Sequence, residues 1–360
     1  ITGSAGKTSL KELLGQSLSQ IHKTAYSKNS YNNLLCEFEW GTTTKELDRV
    51  FTELKTELPK LIEKIRKQGK FRDHLKGLNV TINDQEKMGK ACLELMGFNT
   101  ERGVLETSSH PFSTTLGPED FRITTRYDEK LFASSYLATA HEMGHSLYEQ
   151  GLPKELFGTS AGSACSYGFH ESQSLFWEKK VASSREFLKL IWPFMAKPFE
   201  KTKPDLNLDD LYHSMNHVKS SLIRVDADEV TYCLHIIIRY ELEKLLINDG
   251  LPVEEIRETW NKKYEDYLGI TPPDHKSSFL QDVHWAWGAF GYFPSYALGH
   301  LISSQFEVNM TKEIGPVSSL ISHERISEIT SWLRKNIHEK ASLYDPKELI
   351  KEVIFHYLTP

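Results

Sequence analysis

His141-Glu142-Met143-Gly144-His145 is the stretch that decides how this chain is read. On an α-helix, side chains four residues apart project from nearly the same face, so His141 and His145 can hold one metal ion through their imidazoles. Glu142 lies beside them, where its carboxylate can take the proton of a water that the metal activates. The flanks suit a helix. Leu131, Phe132, Leu137, Ala138 and Leu147 supply apolar positions around the motif, and Gly151 followed by Pro153 ends it. HExxH is short enough to arise by chance, so its meaning depends on a third ligand. The extended pattern with a third histidine fails: Tyr148 stands where its glycine belongs and Gly151 where its histidine belongs. Glu149, one turn past His145, suits a surface contact or a contact behind the ligands. Glu171 is better placed. It follows the small-residue stretch 158–168 and sits in Phe169-His170-Glu171-Ser172-Gln173-Ser174, which reads as the start of a second helix. Packed antiparallel beside the first, that helix completes a His₂Glu zinc site with one position open to water. Cys165, in the loop before Glu171, is the weaker alternative ligand.

The rest of the chain fits a helical enzyme. It has 360 residues, 39% hydrophobic and 26% charged, enough for a large core. With a net charge of -6 and scattered Lys and Arg, no nucleic-acid partner is expected. No apolar run approaches the length of a membrane span. Cys36, Cys92, Cys165 and Cys233 are far apart and form no CxxC, a pattern of buried thiols in a reducing, cytoplasmic compartment. The triplets Asn79-Val80-Thr81 and Asn309-Met310-Thr311 fit a glycosylation pattern that is common by chance. Gly3-Ser4-Ala5-Gly6-Lys7-Thr8 looks like the end of a phosphate loop, but Ile1 stands where the first glycine belongs, so nucleotide binding is rejected. Helical spacing covers 45–68, where Pro59 is expected to kink or divide the run, and 84–96, 131–150, 170–196, 208–222, 228–248, 253–268, 295–310, 324–340 and 346–358. Only 103–127 is β-rich. There 103–107 and 121–127, with a turn at 116–120, predict a small antiparallel sheet just before the motif helix, able to offer an edge strand to an extended peptide. The fold class is therefore mainly α, a helical HExxH architecture around a deep substrate groove with that sheet beside it. One catalytic unit is expected over 1–360, in one or two lobes around the groove.

Six short motifs recur in order: Ser109-His110-Pro111-Phe112, Asp120-Phe121-Arg122-Ile123-Thr124-Thr125, the HEMGH run, His170-Glu171-Ser172-Gln173, Ile223-Arg224-Val225-Asp226-Ala227-Asp228 and Gln281-Asp282-Val283-His284-Trp285. This series resembles the M32 family of metallocarboxypeptidases, the thermostable carboxypeptidase Taq type. Tyr31-Asn32-Asn33-Leu34-Leu35 and Gly291-Tyr292-Phe293-Pro294-Ser295-Tyr296 resemble it too, and the match spans essentially the whole chain. The family's chains are longer at the N-terminus, so the resemblance implies a missing N-terminal helical segment. It also implies a homodimer and a zinc carboxypeptidase acting on peptides with a free C-terminus; Co²⁺ can occupy such a site as well.

The resemblance places a His and a Tyr from the run 281–296 over the scissile carbonyl, which makes His284 and Tyr292 the candidate oxyanion donors beside the metal. For Tyr292 the competing reading is a core aromatic; the adjacent Gly291 favours close approach to a ligand. Tyr296 ends the same motif and is counted with the substrate-binding residues. A carboxypeptidase must hold a free carboxylate, and the planar fork of arginine does this best. Arg224 is the first candidate, with an internal salt bridge to Asp226, Asp228 or Glu229 as the alternative. Arg122 is the second candidate, or else a structural partner of the Glu171 segment. His110 either lines the cleft or stands behind the ligands, and Asp282 is expected to be structural. An oligopeptidase, a dipeptidyl carboxypeptidase and a non-catalytic peptide binder remain as alternatives.

Overall fold

The computed structural model describes residues 29–69 and 71–354. The rejected phosphate-loop look-alike at 3–8 and the end of the helix predicted at 346–358 lie outside them. Most of the described chain is helical, and buried apolar residues from Tyr31 to Val353 join one core. The motif helix, Phe132–Gly151, lies at its centre and is buried on most sides through Tyr136, Ala140, Met143, Leu147 and Tyr148. It ends where the sequence predicts, with Leu152 and Pro153 extended beyond Gly151.

The sheet differs from the sequence expectation. It has three strands, β1 (Gly103–Thr107), β2 (Phe112–Gly117) and β3 (Asp120–Thr125), in the order β1-β3-β2. β1 and β3, expected to be antiparallel, run parallel; β2, which was not foreseen, forms the antiparallel hairpin with β3. The crossover that parallel strands require is supplied by β2 itself. The link 108–111 is fastened over the end of β3, where the Ser108 hydroxyl donates to Thr124 Oγ1 at 2.7 Å and the Phe112 N–H to the same oxygen at 3.0 Å. β2 escaped notice because its Ser-Thr-Thr centre lacks the large apolar residues that mark a strand. Central β3 buries Phe121, Ile123 and Thr125, and Thr125 donates to the Ser135 carbonyl on the motif helix. The sheet is thereby fixed against the metal-binding turn.

The helix predicted at 170–196 is three pieces. Tyr167–Leu175, capped by Ser166, carries Glu171. A π-helical segment, Phe176–Ala182, follows, and a new helix capped by Ser184 runs Arg185–Glu200. Pro59 causes no break: Thr44–Arg66 is one helix. The glutamate helix Tyr167–Leu175 is wedged between the motif helix and Phe293–Ile314. Two glycines allow it. A Cβ on Gly144, inside the HExxH motif, would lie 2.6 Å from Ser174 Cα; one on Gly299 would lie 2.7 Å from Glu171 Cγ. Any side chain at either position would push a ligand-bearing backbone away.

Candidate metal centre

His141, His145 and Glu171 converge, with one ligand atom from each within 4.8 Å of the others. Nε2 of His145 is 3.4 Å from Glu171 Oε2, and Nε2 of His141 is 3.7 Å from the same oxygen. Tetrahedral zinc, with bonds of about 2.0–2.2 Å, needs ligand atoms roughly 3.3 Å apart, and both histidine-to-glutamate separations lie close to that. The outer nitrogens are also engaged. Nδ1 of His141 is 2.9 Å from Glu178 Oε2, and Nδ1 of His145 is 2.6 Å from His170 Nδ1 and 3.1 Å from the His170 carbonyl. His170 continues the chain through Nε2 to Glu149 Oε1 at 2.9 Å, and Glu149 accepts from Thr115 of β2 at 3.2 Å. With protons on the outer nitrogens, both Nε2 atoms are left with lone pairs facing Glu171, the tautomer a metal requires.

Without an ion the two histidines differ: His145 already has the neutral form a metal needs, whereas His141 holds a second proton that a cation would displace. Burial pushes His145 down to about 4, so it stands neutral. Burial opposes a proton on His141 too, but Glu171 and Glu178 outweigh it and raise that group to about 9; the same attraction is available to a metal cation. Glu178 is held down to about 2 against its burial, chiefly by Lys179 and then by His141. We expect Glu178→Gln, which keeps the shape and loses the charge, to weaken divalent-metal binding about tenfold or more. Chelator competition on a variant with unaltered circular dichroism measures this, and an unchanged dissociation constant would refute the role.

Glu142 points its titration the other way. Burial raises it to about 7, with His141 opposing and Glu171 adding to the rise; His110 and His170 also bear on it. His110 itself is exposed on the link into β2, its Nδ1 2.8 Å from the Pro111 carbonyl.

The remaining candidates gather on the helix Phe293–Ile314 and the loop before it. His284 Nε2 is 3.0 Å from the Tyr296 hydroxyl, and its Nδ1 is buried with no partner among the described residues. Tyr292, at the N-terminal boundary of the helix, lies 5.2 Å ring to ring from both His284 and Tyr296. Its ring also meets Phe38 and Tyr167, so it is packed as well as polar. Burial raises the phenols of Tyr292 and Tyr296, and the Glu171 charge adds to both. Gly291, with φ +87°, serves another contact than the one expected. Its close approach is to the backbone of Leu34 and Leu35, and its N–H donates to Glu243 at 3.0 Å. Glu243 is buried and accepts from the Trp285 indole at 2.6 Å and the Tyr31 hydroxyl at 2.7 Å as well. It therefore clamps the loop that carries His284.

Arg224 is 6% exposed. Its Nε donates to Asp282 Oδ1 at 2.8 Å and its Nη1 to the Tyr232 hydroxyl at 2.7 Å, over the Tyr296 ring at 4.8 Å. The expected acidic neighbours do not pair with it: Asp228 caps Glu229–Asn248, and Glu229 binds Lys180. Asp282 is shared with Arg239 at 2.6 Å. Nη2 of Arg224 makes no hydrogen bond among the described residues. Arg122 must be corrected as a partner of the Glu171 segment. Strand alternation turns it outward, where it is exposed and forms two bonds, 2.9 and 3.0 Å, to Asp120 two residues earlier on the same face. Cys165 is no ligand here; its thiol donates to the Tyr344 carbonyl. The reading of the sequence missed Glu178, Tyr232 and Glu243. Only Glu178 left a signal, lying seven residues, about two helical turns, after Glu171.

The chain matches the family model described as carboxypeptidase Taq (M32) metallopeptidase over residues 7–359. It is 42% identical over 324 residues to thermostable carboxypeptidase 1 of Thermus thermophilus, covering 90% of this chain and 63% of that protein. It is 39% identical over 332 residues to carboxypeptidase 1 of Bacillus subtilis, covering 91% of this chain and 66% of the relative. The chain thus spans just under two thirds of the length of these relatives. Among solved structures, the M32 carboxypeptidase of Deinococcus radiodurans superposes with a TM-score of 0.92 at 31% identity, over 99% of this chain and 71% of that one.

Proposed function

The chain belongs to the carboxypeptidase Taq (M32) family of metallopeptidases, and from that premise we propose that it is a zinc-dependent carboxypeptidase releasing single C-terminal amino acids from peptides. The observation that carries the reading is the His₂Glu triad with each histidine braced from behind, beside a half-buried carboxylate, Glu142. His141, His145 and Glu171 would hold the ion. Bound there, zinc supplies Lewis acidity and brings the pKa of a water toward about 7. Glu142 accepts the proton from the attacking water and returns it to the leaving amine. His284 and Tyr292 donate to the carbonyl oxygen as negative charge builds on it. Arg224 takes the free carboxylate end-on, through the edge of its fork that Asp282 and Tyr232 leave open. Tyr296 supports both sides, under the guanidinium and against His284. Arg122 and His110, both exposed, would meet the substrate further out along β2.

The buried core shared from Tyr31 to Val353 supports one catalytic domain over 1–360. Four free cysteines support a cytoplasmic location. Zinc is preferred over Co²⁺ because two imidazoles and a carboxylate are its usual catalytic set. No nucleic acid or membrane is proposed as partner, and no described helix is long and apolar enough to cross a bilayer. Homodimer formation is proposed from the family resemblance, and sedimentation at low micromolar concentration reads it.

Product analysis tests the activity. Digestion of an unblocked pentapeptide with the zinc-loaded protein should release single residues from the C-terminus in sequence. Dipeptides or internal fragments would favour the dipeptidyl or oligopeptidase alternative. Zinc binding with no product at all would favour a peptide-binding protein.

A further inference from the structure

We propose that His300 is a specificity-determining residue that hydrogen-bonds the side chain of the substrate's C-terminal residue. The proposal rests on the carboxypeptidase reading, with Arg224 as the carboxylate anchor. His300 lies on Phe293–Ile314, four residues after Tyr296 and next to Gly299. Positions four apart share a helix face, so His300 continues the stripe that Tyr296 presents to Arg224. Its ring is 5.0 Å from the ring of Tyr232, whose hydroxyl accepts from Arg224. On its other flank Gly299 abuts Glu171, and the charges of Glu229, Lys179, Glu171 and Glu178 all bear on the imidazole. His300 therefore stands between the metal ligands and the carboxylate anchor. A residue whose carboxylate is on Arg224 and whose amide is at the metal must put its side chain beside this wall.

The second observation is that His300 is unsatisfied. It is 7% exposed, its side chain makes no hydrogen bond among the described residues, and its Nε2 is fully buried. Buried polar groups are normally paired, and an exception asks for a partner. Its charged neighbours are already committed: Lys179 to Glu178 at 2.7 Å and Glu229 to Lys180 at 2.7 Å. An imidazole this deeply buried with no anion bonded to it is neutral, so one nitrogen donates and the other accepts. A neutral imidazole among charges that are already paired suits an uncharged group that both gives and takes hydrogen bonds. The carboxamide of glutamine or asparagine has that chemistry, as does a serine or threonine hydroxyl. A charged side chain would have to compete with the existing pairs.

The test compares N-blocked dipeptides ending in glutamine or in methionine, which are similar in length and differ in hydrogen bonding. His300→Leu should lower kcat/KM for the glutamine substrate about tenfold while the methionine substrate changes less than about threefold. His300→Asn, which keeps a donor and an acceptor, should recover most of the glutamine rate. Metal content and circular dichroism verify that each variant is folded. Independently of any variant, free glutamine should inhibit the unaltered enzyme more strongly than free methionine. An unchanged glutamine-to-methionine ratio, or equal losses on both substrates, overturns the proposal, as does equal inhibition by the two amino acids. Failure of the carboxypeptidase reading would look different, because the unaltered protein would release no single residue from either substrate.

Discussion

Glu142→Gln should leave the protein folded and loaded with metal, yet reduce kcat by about 10²–10⁴-fold, the usual share of a positioned base. Gln is close to Glu in shape, so the buried site keeps its packing, but an amide cannot take the proton of the attacking water. Burial helps the native residue. It raises the Glu142 carboxyl to about 7 in the metal-free protein, so the group binds a proton more readily than an exposed glutamate. The working form is the carboxylate, so activity falls as pH drops through its pKa; a bound cation draws that pKa below 7, and the acid limb of the pH profile lies there. Removing the carboxylate should abolish that limb in whatever activity remains. Metal content by elemental analysis and single-turnover rates decide the matter. A variant with full metal and near-normal kcat would show that another group takes the proton.

Arg224→Ala should cut kcat/KM on peptides with a free C-terminus by roughly 30-fold or more, the loss of a charge-assisted pair costing about 2–5 kcal/mol. Peptides with an amidated C-terminus should be poor substrates from the outset and lose little further. The comparison matters because Arg224 is also part of the fold, through Asp282 and Tyr232. Asp282 keeps Arg239 after the substitution, so its charge is not stranded. Equal losses on both substrates would make Arg224 a structural residue. Arg224→Lys should recover little, because lysine offers a point charge in place of a fork.

The metal triad was legible because its spacing is local. His141 and His145 are one turn apart, and Glu171 follows a stretch too small and polar to be core. Arg224 and His284 were picked out as candidates by residue type and resemblance; the residues that hold them were not. Asp282 reaches Arg224 across 58 residues and Glu243 reaches Trp285 across 42, contacts that leave no periodic trace in the chain. The sheet was half legible for a similar reason. Alternation finds strands but cannot tell whether two β-rich segments are neighbours through a hairpin or through a third strand. The breaks at Ser183 and Ser184 and the π-helical segment before them were hidden because apolar spacing continues across both.

Glu243 receives donors from Tyr31, Trp285 and Gly291, so a single carboxylate ties the start of the described chain to two residues in its last third. Removing any one of these donors, as in Trp285→Phe, would leave the buried carboxylate under-satisfied at about 1–3 kcal/mol and loosen the loop that carries His284. The HExxH helix therefore cannot be excised as a minimal hydrolase. A graft of residues 103–200 alone would carry His141, His145 and Glu171 away from Arg224, Glu243 and His284.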